Sequence, residues 1–351
     1  MSVQLLIHKF GKKQLQGKYC LTPFNSVHIA FNGDVRMCLC PAWQTIPIGN
    51  ILQHNLDTLL NSSLARQVRQ SIIDGTYDFC NEKQCPILIN DQLNTIDTVP
   101  DNIRYQLEDN TRYGMPYEIV LTGDLTCNLS CPSCRKAVIK LDESQRQQQQ
   151  DIANTLYNNI FSKPTDQHIR FMPGAAGEIF GSAMMLSMLS KLNLQDFPNI
   201  KITLHTNGLL VEKNWDKIAH LASAIDNITI SIDACTAPTY ESVRRGGKWP
   251  ALLSALEFIS SKKQQFGFDW HARMIVQKEN YQEIPEFYNF CKSYNIDRIE
   301  YSRLLDWHSW SREEFLKNDV LDINHPNRTK ALEKIQSIQA LPGTWIEGDF
   351  N

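Results

Sequence analysis

Residues 117–134 read Tyr117-Glu118-Ile119-Val120-Leu121-Thr122-Gly123-Asp124-Leu125-Thr126-Cys127-Asn128-Leu129-Ser130-Cys131-Pro132-Ser133-Cys134. Tyr117–Leu121 has the composition of a buried strand, and Thr122-Gly123-Asp124 ends it. Three thiols then follow in one loop at C-x3-C-x2-C spacing. In α/β sheets and barrels, active sites sit on the loops at the C-terminal edge of the strands. Three thiolates from one loop can hold three corners of a [4Fe–4S] cube and leave one iron open to a substrate or cofactor. The alternative is zinc or packed, reduced thiols. Zinc would want a fourth ligand, and no Cys or His lies soon after Cys134.

From this loop outward a strand–helix rhythm runs to residue 302. Strand-like runs are expected at 117–121, 169–172, 200–204, 228–232, 270–276 and 299–302. Helical spacing fills about 143–161, 181–193, 212–224, 250–262 and 283–294. Such alternation argues for parallel βα units, curled into a barrel or wound into a layered sandwich. The expected division is residues 1–90 a cysteine-rich module, 91–116 a polar linker, 117–302 the βα core and 303–351 a less regular extension with two short helices.

The chain has 351 residues, 42% hydrophobic and 21% charged. That suffices for a real core and excludes a disordered or collagen-like chain. A net charge of −3 disfavours nucleic-acid binding. No apolar run approaches the roughly 20 residues that span a bilayer. Met1–Phe10 lacks the cationic start and cleavage site of a signal peptide, so a cytoplasmic protein is expected. Ten cysteines in such a chain read as metal or redox ligands rather than staples. Motifs for nucleotide hydrolysis, zinc proteolysis, the serine nucleophile elbow and Rossmann hydride transfer are all missing.

Other features line up with the cysteine loop. After the second expected strand comes Gly177-Glu178, where a small residue lets backbone approach a ligand and a carboxylate can meet an ammonium group. The third strand ends in Thr206-Asn207-Gly208. The fourth ends in Ser231-Ile232-Asp233, and period two would put Ser231 and Asp233 on one face; capping of the next helix is the other reading of Asp233. Arg244 follows, beside Arg245. The fifth strand leads to Gln277 and Asn280.

Together, residues 117–302 resemble the radical S-adenosylmethionine (radical SAM) superfamily, whose hallmark is this cysteine loop. The resemblance implies a partial (β/α)6 TIM-like barrel in an α/β fold. It implies that Cys127, Cys131 and Cys134 bind a [4Fe–4S] cluster with an open iron that chelates S-adenosylmethionine. Reductive cleavage would give a 5′-deoxyadenosyl radical that abstracts hydrogen from a substrate. The resemblance further implies that Gly177 and Glu178 bind the methionine amino group, that Thr206 and Asn207 lie on the cofactor side, that Ser231 and Asp233 contact the ribose, and that Arg244 lies near the carboxylate. Gln277 and Asn280 fall in the adenine-side segment. Two departures stand out: Ala176 replaces the first glycine of a Gly-Gly-Glu motif, and Ser133 replaces the aromatic residue usual before the third cysteine.

Residues 26–38 read as a β-hairpin around Asn32-Gly33-Asp34, and 56–73 as an amphipathic helix with an interruption at Ser62-Ser63. Cys20, Gly33-x4-Cys38 and Cys80-x4-Cys85-Pro86 resemble a SPASM or twitch module, an auxiliary Fe–S domain, placed here before the barrel. The small α+β module would hold one auxiliary [4Fe–4S] cluster on Cys20, Cys38, Cys80 and Cys85, with Cys40 able to replace Cys38. Four thiolates would satisfy zinc equally well. Cys235 and Cys291 are unassigned. In relatives the module goes with maturases, so the expected partners are a peptide or protein substrate and a reducing electron donor, with no nucleic acid and no membrane. A small-molecule substrate and a non-catalytic zinc scaffold are the competing readings.

Overall fold

The computed structural model describes residues 15–40, 43–44, 46–110, 113–174 and 176–347. The reading of Met1–Phe10 lies outside them. Two compact units make up the chain. The first holds the described residues of Met1–Asp124, Gln147–Ala175 and Lys191–Lys201, and the second those of Leu125–Arg146, Ala176–Ser190 and Ile202–Asn351.

The strands of the first unit are β1 (Lys18–Tyr19), β2 (Ser26–Ile29), β3 (Asp34–Arg36), β4 (Gly49–Asn50), β5 (Asn94–Thr95), β6 (Glu118–Leu121) and β7 (Ile169–Pro173). The expected hairpin is β2–β3, closed by the Gly33 N–H to the Ala30 carbonyl at 2.9 Å with Gly33 at φ +86°. Sequence reading kept this hairpin apart from the βα core. In the structure β2 pairs in parallel with β6, Val27 opposite Ile119 and Ile29 opposite Leu121, and β6 pairs in parallel with β7. The 56–73 segment breaks where expected. Helix Leu56–Leu60 ends at Asn61, and Ser62 caps helix Ser63–Ile73 by accepting the Ala65 N–H. The stretch read as a linker carries β5, which pairs with β1, and helix Asp101–Glu108.

The second unit carries β8 (Ile200–Thr206, its first two residues in the other unit), β9 (Ile225–Ser231), β10 (Asp269–Val276), β11 (Arg298–Arg303) and β12 (Thr344–Glu347). They pair in that order, all parallel. Helices Ala183–Lys191, Trp249–Phe266 and Ile284–Ser293 appear where helical spacing predicted them. The expected helix at 212–224 is instead a single turn, Val211–Asn214, followed by 3-10 turns. Asn214 turns its amide back onto the Phe180 and Leu210 carbonyls, and such side-chain bonds compete with a helical ladder.

β8, β9, β10 and β11 each have a mainly apolar and a mainly polar face. Ile202 and Leu204, Ile228 and Ile230, Trp270, Ala272 and Met274, and Ile299 and Tyr301 are all buried on the first. The second carries His205, Asn227, Thr229, His271, Arg273, Glu300 and Ser302. Arg273 clasps Glu300 at 2.7 and 2.9 Å, Ser302 donates to Glu347 at 2.6 Å, and Asn227 meets His271 at 2.7 Å. Parallel sheets usually bury apolar side chains on both faces, so a hydrogen-bonded polar face marks a surface built for contact with something polar.

Candidate functional site

All three cysteines of the loop lie in the second unit, at the C-terminal ends of its parallel strands. Backbone turns set their spacing. The N–H groups of Cys134 and Arg135 both bond the Cys131 carbonyl, at 2.9 and 3.0 Å, and Cys127 bridges to Ile139. Asn207, just past β8, donates to Asn128 at 2.8 Å, and the Arg245 carbonyl takes the Ser130 N–H at 3.0 Å. Arg245 also donates to Ser130 Oγ at 3.2 Å and to the Lys136 carbonyl at 2.9 Å. The loop is therefore held by residues that come far later in the chain.

Each sulfur has an N–H donor in reach. Cys127 Sγ accepts from the Leu129 N–H at 3.4 Å and from Asn207 Nδ2 at 3.8 Å. Cys131 Sγ has Arg244 Nη1 at 3.8 Å. Cys134 Sγ has Arg135 Nε and Nη2, each at 3.4 Å. Such N–H groups are placed to donate to sulfur. Burial pushes the Cys127 thiol up, so a bound cation would be what ionises it.

Glu178 is 1% exposed. Its carboxylate accepts Thr206 Oγ1 at 2.6 Å, the Asn207 N–H at 2.7 Å and the Phe180 N–H at 3.1 Å. A carboxylate has about four acceptor positions; three are used here, leaving one for an ammonium group. Burial raises the carboxyl against these donors. Gly177 sits at φ +76°, where a side chain would be strained. The geometry thus joins Gly177, Glu178, Thr206 and Asn207 to the cysteine loop.

Asp233 differs from its expected placement. β9 ends at Ser231, and Asp233 lies beyond it at φ +66°, so strand alternation no longer relates the two. Nor does Asp233 cap the following helix, Ala237–Val243, whose N-cap is Thr236. Its carboxylate meets Arg244 Nη2 at 2.8 Å, the two side chains 4% and 13% exposed, and accepts the Ile275 N–H at 2.7 Å. Asn280 fixes the same corner by donating to the Asp233 carbonyl at 2.8 Å. Burial alone would weaken the charge on Arg244, but Asp233 beside it holds the guanidinium protonated. Arg244 Nε, Tyr240 Oη and Gln277 Nε2 are buried with no partner. Orphaned polar atoms around a cysteine loop are what a bound polar cofactor would satisfy, so the residues fit such a group.

In the first unit, Cys20, Cys38, Cys80 and Cys85 line one small pocket with Met37, Val68, Ile87 and Leu88. Cys40 is not among its lining residues. Tyr77 ties two of the segments together, donating to the Lys18 carbonyl at 2.8 Å and accepting the Cys20 N–H at 3.1 Å. Burial pushes the Cys38 thiol up to about 12 and raises Cys20 as well. Gln44 also lines this pocket. It is 2% exposed, and both atoms of its amide lack partners. A mainly apolar pocket with four thiols and an unused amide fits a sulfur-rich cluster, whose sulfides would accept the amide N–H. Among the described residues, no three His, Cys, Asp or Glu side chains stand close enough to grip a metal ion as they are. The fit of both sites therefore rests on donors and surroundings.

Outside these sites, Cys235 bonds Glu283 through its N–H at 2.7 Å, and its thiol is pushed up to about 12, by burial first and Glu283 second. Cys291 is fully buried in packing. All ten cysteines are free. Arg135, Asn128, Arg245, Tyr77 and Gln44 escaped sequence reading. Arg135, Asn128 and Arg245 had a visible signal, their places beside Cys134, Cys127 and Arg244; Tyr77 and Gln44 had none.

Two family models match the chain: the radical SAM superfamily over residues 125–291 and the iron-sulfur cluster-binding domain SPASM over residues 20–86. Residues 125–291 are a radical SAM domain behind a SPASM domain, and the chain is an enzyme of the radical SAM class. That class uses a [4Fe–4S] cluster and S-adenosylmethionine, and the SPASM domain adds auxiliary Fe–S binding. No curated protein sequence matches it. Among solved structures, Streptococcus suis SuiB bound to precursor peptide SuiA is 14% identical, covering 94% of this chain and 73% of that one, with a TM-score of 0.43. SuiB bound to S-adenosylmethionine is 16% identical over 92% and 71%, also at 0.43. anSMEcpe with bound AdoMet and Cp18Cys peptide is 18% identical over 53% and 50%, at 0.36. At such scores the likeness carries no argument about substrate. No helix among the described residues is long and apolar enough to cross a membrane.

Proposed function

We propose that this enzyme modifies a peptide or protein by hydrogen abstraction, with Cys127, Cys131 and Cys134 holding the cluster that serves S-adenosylmethionine. Cys20, Cys38, Cys80 and Cys85 hold one auxiliary cluster. When bound, cluster and S-adenosylmethionine together supply a 5′-deoxyadenosyl radical that takes hydrogen from a substrate carbon. The chain's residues position and shield that chemistry. Asn207 and Arg245 fix the cysteine loop, and Asp233 fixes Arg244. Glu178 orients Thr206 and Asn207 while keeping one acceptor position for the methionine ammonium. On this reading Gly177 would serve the amino acid moiety and Ser231 the ribose.

The observation that carries the peptide reading is the joint presence of a SPASM domain and a radical SAM domain in one chain. In the family that the cysteine pattern resembles, this pairing goes with peptide and protein maturases. Ten free thiols suit a reducing, cytoplasmic setting with a low-potential electron donor. The test is to incubate the anaerobically reduced enzyme and S-adenosylmethionine with candidate peptides and, separately, with sugars and amino acids, and to follow substrate mass. A peptide mass change coupled to 5′-deoxyadenosine supports the reading. Turnover of small molecules alone would sink it.

A further inference from the structure

Among the described residues, two guanidiniums stand within hydrogen-bonding reach of the loop sulfurs, and the Glu178 carboxylate acts on Cys127 in the opposite sense. Arg135 stands 3.4 Å from Cys134 Sγ through both Nε and Nη2, and its Nη1 is anchored on the Leu125 carbonyl at 2.6 Å. Arg244 reaches Cys131 Sγ at 3.8 Å and is pinned by Asp233 at 2.8 Å. A guanidinium is always protonated, so these charges stay on in every state of the site. Both are braced at their other ends, so neither charge can swing away. The four-cysteine pocket is different. Among the described residues no Lys or Arg lines it, and its walls are mainly apolar, with Gln44 the buried amide in reach.

The potential of an iron–sulfur cluster follows its net charge, the hydrogen bonds to its sulfurs and its exposure. Reduction adds negative charge, and a fixed cation a few ångströms away favours the reduced state. We infer that Arg135 and Arg244 act as potential-setting residues, raising the potential of the cluster on Cys127, Cys131 and Cys134 above that of the cluster on Cys20, Cys38, Cys80 and Cys85. The ligand count acts in the same direction, since three thiolates bring less negative charge than four. The inference rests on the reading that both cysteine sets hold [4Fe–4S] clusters.

The test is a potentiometric titration of the full chain, purified anaerobically and without S-adenosylmethionine, followed by electron paramagnetic resonance. A Cys38→Ala/Cys85→Ala variant assigns the two signals. In the wild type the loop cluster should titrate at the higher potential. Arg135→Gln should lower its reduced-to-oxidised ratio at fixed poise about tenfold, equivalent to about 59 mV for one electron. Arg135→Lys, which keeps the charge and loses the fork, should move it far less. Neither should move the auxiliary signal. Arg244→Lys supplies the second charge-retaining arm, because Arg244→Gln would strand the Asp233 charge and endanger folding. An unmoved loop midpoint in Arg135→Gln with intact iron content overturns the inference. So do equal shifts in the Gln and Lys variants, or a reversed order of the two clusters. A wild-type protein without iron would instead bring down the cluster reading itself.

Discussion

The two cysteine sets are made of the same side chain in opposite surroundings. The 127–134 loop is a single short segment whose sulfurs face N–H donors, two of them cationic, and whose third thiol is exposed. The 20/38/80/85 set gathers four thiols from separate segments into an apolar pocket with one unpartnered amide. The difference teaches that spacing brings thiols together, while the surroundings decide what a cluster there can do. An open, polar, hydrogen-bonded site suits a group that binds and reacts. A mainly apolar one suits a group that is only held.

The sharpest way to break this contrast is to remove ligands one set at a time. Alanine at Cys127, Cys131 or Cys134 should cut 5′-deoxyadenosine formation by more than about 100-fold, since losses in the outer shell alone reach about that size. Retained cleavage in any of the three would refute the loop assignment. Alanine at Cys38 or Cys85 should remove about four irons, one cubane's worth, and leave S-adenosylmethionine cleavage measurable. Cys40→Ala should keep the full iron content, because Cys40 is not part of the pocket lining; iron loss there would reopen the choice between Cys38 and Cys40.

A smaller effect is expected at the brace behind the loop. Asp233→Ala leaves a buried Arg244 without its partner and should cost about 3–5 kcal/mol, read from denaturant unfolding. Adding Arg244→Ala to that variant should recover part of the loss, because no buried charge is then stranded. A double variant that loses the sum of the two single losses would show that the pair is not coupled. The smallest effect is acid sensitivity, shared by both regions. Burial holds His28 in the first unit and His205 in the second down to about 4, against an ordinary 6.5. Between those values the unfolded chain takes up protons that the folded one refuses. Stability should therefore be full above pH 6.5 and fall as the pH drops toward 4. His28→Gln and His205→Gln should each flatten that fall in melting temperature. Glu300 adds a lower window. Burial would raise it, but bonds from His271 and Arg273 outweigh burial and bring it to about 2, so its contribution is lost only below the ordinary carboxylate range.

Much of the fold was legible from periodicity. The six strands, four of the five helices and the Asn-Gly hairpin stand where alternation and turn residues put them, because these signals are local. The 212–224 helix stops after one turn, where Asn214 turns its amide to the Phe180 carbonyl outside its own helix. The parallel pairing of β2 with β6 was invisible because register between distant strands leaves no mark on either. At the site, thiols and glycines announced themselves by spacing. Arg135 lies next to a cysteine, but adjacency in sequence does not say that a side chain turns back onto the neighbouring sulfur. Nothing local distinguishes Gln44 from any other glutamine.

By itself the sequence determined the chemistry available to this protein: three thiols on one turn, four more in an N-terminal module, a carboxylate after a glycine, and parallel βα units to carry them. Spacing suffices for that, because a short loop confines its ligands to a cluster's dimensions. Only the tertiary structure decided which groups serve those thiols. It turned Asp233 out of its strand to pin Arg244, spent three of the acceptor positions of Glu178 on Thr206, Asn207 and Phe180, and selected Cys38 over Cys40 for the pocket. Most of those choices join residues from separate elements of the chain, and their energies depend on burial and on partners that exist only once the chain has folded.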